Sequence, residues 1–125
     1  MRISHTLVVL ACALLPLTGC RTSSAQVGRA VTGGDAQRGA AAIARYGCGS
    51  CHTIGGLVDA HGLVGPPLTG LRDRMYVAGI LQNEPGNLTF WIREPKMVNP
   101  KTAMPRLGVS ERDALDIAAY IYSIP

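Results

Sequence analysis

The sequence has few aromatic residues and no apolar run long enough to cross a bilayer. Of its 125 residues only Trp91, Phe90 and four tyrosines are aromatic, so small and aliphatic side chains supply most of the apolar content. The longest apolar run, TLVVLACALLPL at residues 6–17, is well short of the roughly 20 residues that a spanning helix needs. A chain of this length forms one domain at most, with a modest core. A large buried prosthetic group could supply the ring surface that the side chains lack.

The N-terminal residues resemble a bacterial lipoprotein signal. A short polar start containing Arg2 and His5 precedes the apolar run, which ends in LTGC at residues 17–20. The resemblance implies that residues 1–19 are removed and that Cys20 is lipidated, which would anchor the protein on the periplasmic side of a bacterial membrane. An ordinary secretory signal with an incidental cysteine, or a buried apolar helix, is the alternative.

Cysteine is scarce in the rest of the chain. Cys12 would leave with the signal and Cys20 would carry lipid, so a mature domain over residues 34–125 retains only Cys48 and Cys51. No disulfide framework remains, and two thiols so close together serve a local purpose. Residues 20–33 are small, polar and patternless, which predicts a flexible tether with a root-mean-square reach of about 20 Å.

No segment alternates with period two over a useful length, so the sequence favours an all-α fold with short helices and long loops. Asp35 is a suitable N-cap for the Ala-rich run AQRGAAAIARY that follows it. Residues 53–75 are rich in Gly and Pro, which predicts a loop. Residues 86–94 have the spacing of a short helix ended by the next proline, and SERD at residues 110–113 has the capping-box pattern that starts a helix.

The stretch RYGCGSCHTIGG at residues 45–56 carries the clearest chemistry. Cys48, Cys51 and His52 stand at positions i, i+3 and i+4, so on one helical turn they address a single flat object. Two thiols can add to the two vinyl groups of a porphyrin while the adjacent imidazole binds its iron. CxxCH is accordingly the attachment motif of c-type haem.

Three other interpretations of this motif are open. A structural zinc site needs four ligands, and His61 is the only further histidine outside the signal, with no further thiol. A thiol-disulfide oxidoreductase using Cys48 and Cys51 would place CxxC at the start of a helix after a strand, which differs from this context. The third interpretation is a chance match with two inert buried thiols. We expect His61 to be a solvated loop residue.

Four separated features resemble the class I c-type cytochromes, the small monohaem electron carriers. They are CGSCH at 48–52, GPPL at 65–68, TAMP at 102–105 and DIAAYI at 116–121, within a resemblance that runs from about Asp35 to Pro125. The family implies about four to five short helices and long loops wrapped round one haem c, bound covalently through Cys48 and Cys51.

The resemblance also implies the axial ligands of the iron. His52 would be one ligand, with the carbonyl of Pro66 accepting its other ring N–H, and Leu68 would lie against the haem. Met104, in TAMP, would be the second ligand. Its neutral thioether would favour ferrous iron and so raise the reduction potential. Met97, on the same loop, is the rival for that position.

Further roles follow from the same resemblance. Trp91 would face the haem near the methionine, although it could equally be ordinary core. Thr102 would reach a haem propionate, and Tyr120 would pack on the first helix near its small residues. Lys101 stands where Gly is common in the family, which leaves the local backbone shape open.

These features predict an electron-transfer protein that takes electrons from a periplasmic or membrane dehydrogenase and passes them to an oxidase or reductase. We expect neither enzymatic activity nor a small-molecule substrate, because the protein would occupy both axial positions. The absence of a basic run with stacking aromatics argues against nucleic-acid binding. The alternative within the same chemistry is a fixed haem subunit of a larger respiratory complex.

A local excess of cations in residues 72–106 suggests an acidic redox partner. The charged residues in this segment are Arg72, Arg74, Arg93, Lys96, Lys101 and Arg106, against Asp73, Glu84 and Glu94.

Overall fold

The computed structural model describes residues 23–125, and within them the chain is predominantly helical. The elements in chain order are α1 (Ser24–Thr32), α2 (Ala36–Arg45), β1 (Tyr76–Val77), β2 (Leu81–Gln82), α3 (Pro85–Arg93), α4 (Pro95–Val98) and α5 (Glu111–Ser123). The predicted all-α class with short helices is confirmed.

Helix α5 forms the centre of the fold. Ser110 caps it by accepting a hydrogen bond from the backbone N–H of Asp113 at 3.1 Å, as the SERD pattern predicts. The apolar face expected from the sequence is buried and packs against α1, α2 and α3. The members of that face are Ala114, Ile117, Ala118, Ile121 and Tyr122.

Helices α2 and α5 cross with their backbones in contact. Asp35 caps α2 as predicted, and its side chain accepts hydrogen bonds from the backbone N–H groups of Gln37 and Arg38. A Cβ on Gly39 would lie only 2.0 Å from the carbonyl oxygen of Asp116, so only glycine fits at this crossing. The Arg38 Nε also donates to Asp116 at 2.7 Å, and Asp116 is 2% exposed. Burial alone would raise the pKa of Asp116, but hydrogen bonds from Arg38 and from the Asp35 N–H outweigh it and lower the pKa.

The prediction of a flexible tether over residues 20–33 is wrong for the described part of that segment. Ser23 and Gln26 form a reciprocal capping box, and helix α1 follows. Gly28 is buried against α5, where an added Cβ would lie 2.1 Å from the carbonyl oxygen of Ala119. The buried residues of α1 are Gly28 and Thr32, two small residues that do not mark an apolar face in the sequence.

Two predictions fall outside the described residues. The signal over residues 1–19 and the lipidation of Cys20 both concern that part of the chain. Among residues 23–125, no helix has the length and apolar character needed to cross a membrane.

The segment between α2 and α3 is mostly irregular, as predicted for residues 53–75. It contains an isolated bridge between Thr53 and His61 and a 3-10 turn at Leu71–Asp73. His61 is exposed in this loop. The β1–β2 hairpin that follows was not predicted, because two residues per strand are too few to show a period of two.

Candidate functional site

All eight residues that the sequence proposes for binding the cofactor line one cavity of about 670 Å³. They are Cys48, Cys51, His52, Pro66, Leu68, Trp91, Thr102 and Met104. The volume lies within the range of small-molecule and cofactor sites. A smaller cavity of about 60 Å³ shares His52, Trp91 and Met104 with it. Aliphatic side chains of α2, α3 and α5 line this smaller cavity, among them Ile43, Ile92 and Ile117.

The two thiols and the imidazole share a tight turn directly after α2. Gly47 adopts a φ of 70°, which ends the helix and starts the 3-10 turn Cys48–Ser50. The N–H of His52 then donates to the carbonyl of Cys48 at 3.0 Å, so the helical sense continues through the motif. With the spacing i, i+3, i+4, this turn places the three side chains beside the same cavity.

His52 is held in one orientation by the loop opposite. Its Nδ1 lies 2.7 Å from the carbonyl oxygen of Pro66. A carbonyl can only accept, so Nδ1 carries the proton and Nε2 keeps its lone pair free. The ring also lies against Gly65, where an added Cβ would be 2.3 Å from Cε1.

The loop that holds His52 is itself tied to the fold. The N–H of Leu68 donates to the carbonyl of Thr53 at 2.9 Å. Tyr120 on α5 donates its hydroxyl to the carbonyl of Gly55 at 2.8 Å. The Cβ of Tyr120 lies beside Gly39 of α2, which agrees with the predicted packing of Tyr120 near the small residues of that helix.

Met104 reaches the cavity from a loop shaped by Asn99 and Thr102. The Asn99 side chain accepts from the N–H of Lys101 at 3.0 Å, and the Thr102 hydroxyl accepts from the N–H of Met104 at 3.2 Å. Among residues 23–125 the only non-glycine residue with a positive φ is Ala78, so Lys101 needs no glycine-like backbone.

The other two methionines within the described range are largely exposed. Met75 is 78% exposed and Met97 is 73% exposed, and neither lines the cavity. Met104 is half-buried and lines it together with His52 and Trp91. The geometry therefore favours Met104 over Met97 as the methionine that shares the cavity with the imidazole.

Sequence reasoning missed several residues of the site. Arg74, Tyr76 and Asn99 also line the cavity. The Arg74 guanidinium donates to the carbonyls of Pro67 at 2.7 Å and Thr69 at 3.2 Å. Arg74 was counted only as one cation among six, because nothing in its spacing indicates that it faces a cavity.

Ion pairs neutralise part of the basic segment at residues 72–106. Arg106 binds Glu94 through two hydrogen bonds of 2.7 and 2.8 Å, and this pairing lowers the pKa of Glu94. Arg93 lies 3.8 Å from Glu111, and Arg72 lies 3.6 Å from Asp73. Three cations of this segment have no carboxylate within 4 Å in the described part of the chain: Arg74, Lys96 and Lys101.

Comparison with known proteins defines the family. Residues 36–125 match the family model of cytochrome c, and the chain belongs to this family. The cofactor of the family is covalently bound haem c. The cavity fits that group, since it offers two thiols, an imidazole with a free Nε2, a thioether and apolar walls.

One relative is a cytochrome c oxidase subunit 2 from Alkalihalophilus pseudofirmus. The two sequences are 33% identical over 90 residues, covering 71% of this chain and 25% of that protein. The chain thus spans about a quarter of the length of this relative. No solved structure matches the chain.

Proposed function

We propose that the chain is a single-haem electron-transfer protein in which Cys48 and Cys51 hold haem c, and His52 and Met104 are its axial ligands. The observation that carries the proposal is that both thiols, the imidazole and the thioether line one cavity. These groups come from two loops separated by about 50 residues of chain, so their convergence is a property of the fold.

The residues around the cavity suit a group that exchanges single electrons. Haem c supplies a reversible one-electron iron couple when it is bound. The hydrogen bond from His52 Nδ1 to the Pro66 carbonyl fixes the tautomer and the ring orientation, so Nε2 keeps the lone pair that would bind the iron. Met104 offers a soft neutral sulfur, which favours the ferrous state. Because both ligands come from the protein, no axial position stays open for a substrate, and we propose no enzymatic activity.

Visible spectroscopy of the protein expressed with haem-attachment machinery tests this assignment. We expect Met104→Ala to abolish the weak ferric sulfur-to-iron band, because the thioether is lost. Met75→Ala and Met97→Ala are matched controls, since both side chains are exposed, and they should leave the band unchanged. Persistence of the band in Met104→Ala would place the sixth ligand elsewhere.

A thiol-disulfide function predicts a different result in a labelling experiment. Burial raises the pKa of Cys48, which makes its thiol a weak nucleophile and argues against redox exchange there. Cysteines in thioether bonds resist alkylation even after reduction and denaturation. We therefore expect no label on Cys48 or Cys51 of the exported protein, whereas two labelled thiols would support the redox alternative.

We propose that the chain exchanges electrons with a dehydrogenase donor and an oxidase or reductase acceptor. The cations that stay unpaired in the described chain support weak steering toward an acidic partner; they are Arg74, Lys96 and Lys101. We expect the association rate to fall as ionic strength rises toward 0.15 M, where the Debye length is about 8 Å. A rate independent of salt would contradict the steering.

A fixed haem subunit of a respiratory complex is the second candidate. The similarity to part of an oxidase subunit 2 favours it, because that relative carries the similar 90-residue stretch within a longer chain. Gel filtration in mild detergent separates the two candidates. A carrier elutes alone, whereas a subunit elutes with other chains and with their absorbance.

We also propose that lipid on Cys20 anchors the protein to the periplasmic face of a membrane. Only Arg21 and Thr22 separate this residue from the cap of α1 at Ser23. Three residue steps from Cys20 to Ser23 can span at most roughly 10 Å, far less than a 14-residue tether could. We expect Cys20→Ser to move the protein to the soluble fraction, and a mass spectrum of the N-terminal peptide checks for the lipid directly.

A further inference from the structure

One side-chain amide links three parts of the fold beside the haem cavity. Asn83, directly after β2, donates from Nδ2 to the carbonyl of Leu71 at 2.7 Å and to that of Arg74 at 2.8 Å. Its Oδ1 accepts from the hydroxyl of Tyr122 on α5 at 2.7 Å. The amide thus closes the loop of residues 71–83 and ties it to the central helix.

The segment that this amide closes is a wall of the cavity. Arg74, Tyr76, Ala78 and Gly79 all line it. The hairpin in this wall has two residues per strand, and such a ribbon is not stable alone. Its turn also holds Ala78 at a φ of 54°, a conformation that is unfavourable for a residue with a Cβ. The wall therefore depends on contacts outside itself.

Tyr122 determines how the Asn83 amide is oriented. The two carbonyls on one side can only accept, so the NH2 group must face them and the oxygen must face the phenol. Burial raises the pKa of Tyr122 to about 12, so the phenol keeps its proton and remains the donor. Tyr122 is 5% exposed, which shields this hydrogen bond from water.

We propose that Asn83 and Tyr122 are positioning residues that set the reduction potential of the haem by holding this wall in place. The inference rests on the proposed electron-transfer function. The wall brings the Arg74 cation to the cavity and limits the entry of water. A loosened wall would move that cation away and admit water, and both changes favour the more positively charged ferric state.

The midpoint potential of the holoprotein tests the inference. We expect Asn83→Ala to shift it downward, and Tyr122→Phe to shift it in the same direction by less, because the phenylalanine keeps the packing and removes one hydrogen bond. Asn87→Ala is the control, since the Asn87 amide makes a single bond, to the carbonyl of Gln82 at 3.0 Å. It should leave the potential close to that of the wild type.

Two readouts separate this inference from its premise. The ferric sulfur-to-iron band should persist in all three variants, because neither proposed axial ligand is changed. Potentials that are equal in Asn83→Ala and Asn87→Ala, or unchanged in Tyr122→Phe, would overturn the positioning role while leaving the carrier function intact. A wild-type protein without bound haem would instead refute the proposed function itself.

Discussion

At the scale of single residues, the imidazole of His52 depends on the absence of a side chain at Gly65. A Cβ there would lie 2.3 Å from Cε1 and 2.6 Å from Nδ1 of the ring, so the ring or the loop would have to move. Either movement disturbs the 2.7 Å hydrogen bond to Pro66. The lack of a side chain at Gly65 therefore allows the His52 ring to lie against this loop.

Gly65→Ala is expected to lower the yield of haem-loaded protein and to reduce the free energy of unfolding by about 1–3 kcal/mol, the usual cost of overpacking. Gly86→Ala is the matched control, because nothing lies within 4 Å of its added Cβ. The control should be neutral or slightly stabilising. Thermal unfolding followed with the visible spectrum measures both effects, and a wild-type spectrum and stability in Gly65→Ala would refute the contact.

At the scale of elements, helix α1 lies outside the match to the family model, which begins at residue 36. It contacts α5 through Gly28, and its last turn is fixed where Thr32 donates its hydroxyl to the carbonyl of Gly28 at 2.9 Å. Arg29 also pairs with Asp35, the cap of α2. None of the residues of α1 lines the cavity.

Gly28→Leu is expected to undock α1, because an added Cβ would lie 2.1 Å from the Ala119 carbonyl oxygen. Amide hydrogen exchange over residues 24–32 should accelerate more than tenfold. A tenfold acceleration corresponds to a loss of about 1.4 kcal/mol of local stability. The visible spectrum should not change. Ala30→Leu, at an exposed position of the same helix, should keep the protection, and slow exchange in Gly28→Leu would show that the contact does not hold the helix.

At the scale of the whole molecule, stability in alkali reflects how α5 is buried. Burial and then the charge of Glu84 raise the pKa of Tyr122 to about 12, above the unfolded value near 10. Since the folded state holds this proton more tightly, the corresponding stability is complete below pH 10 and is lost as pH rises toward 12.

We therefore expect the free energy of unfolding to fall with a slope that approaches about 1.4 kcal/mol per pH unit between pH 10 and 12 from this group alone. Tyr122→Phe lacks the titrating group, so the difference between the two proteins should shrink across that range. Chemical denaturation at several pH values measures it. A difference that stays constant with pH would show that the Tyr122 hydroxyl titrates at its ordinary value.

The sequence by itself indicated the haem chemistry of the site and the positions of the helices that have the clearest local signals. Cys48, Cys51 and His52 are neighbours in the chain, so a local turn places them together. Helix α5 has both a cap and an apolar face within one segment, which is why its position was predicted. The remaining candidate residues were proposed from the resemblance to the family, since no local pattern joins Met104 to His52.

The tertiary structure decided everything that depends on contact between distant residues. Helix α1 was taken for a tether because the contact that packs its Gly28 on α5 is with a backbone 91 positions further on, at Ala119. The same reason hid the amide of Asn83, whose phenol partner is 39 positions away, and the pairing of Arg106 with Glu94. Periodicity and spacing report what a residue does along its own element, whereas a glycine contact or a bridging amide exists only once two elements have met.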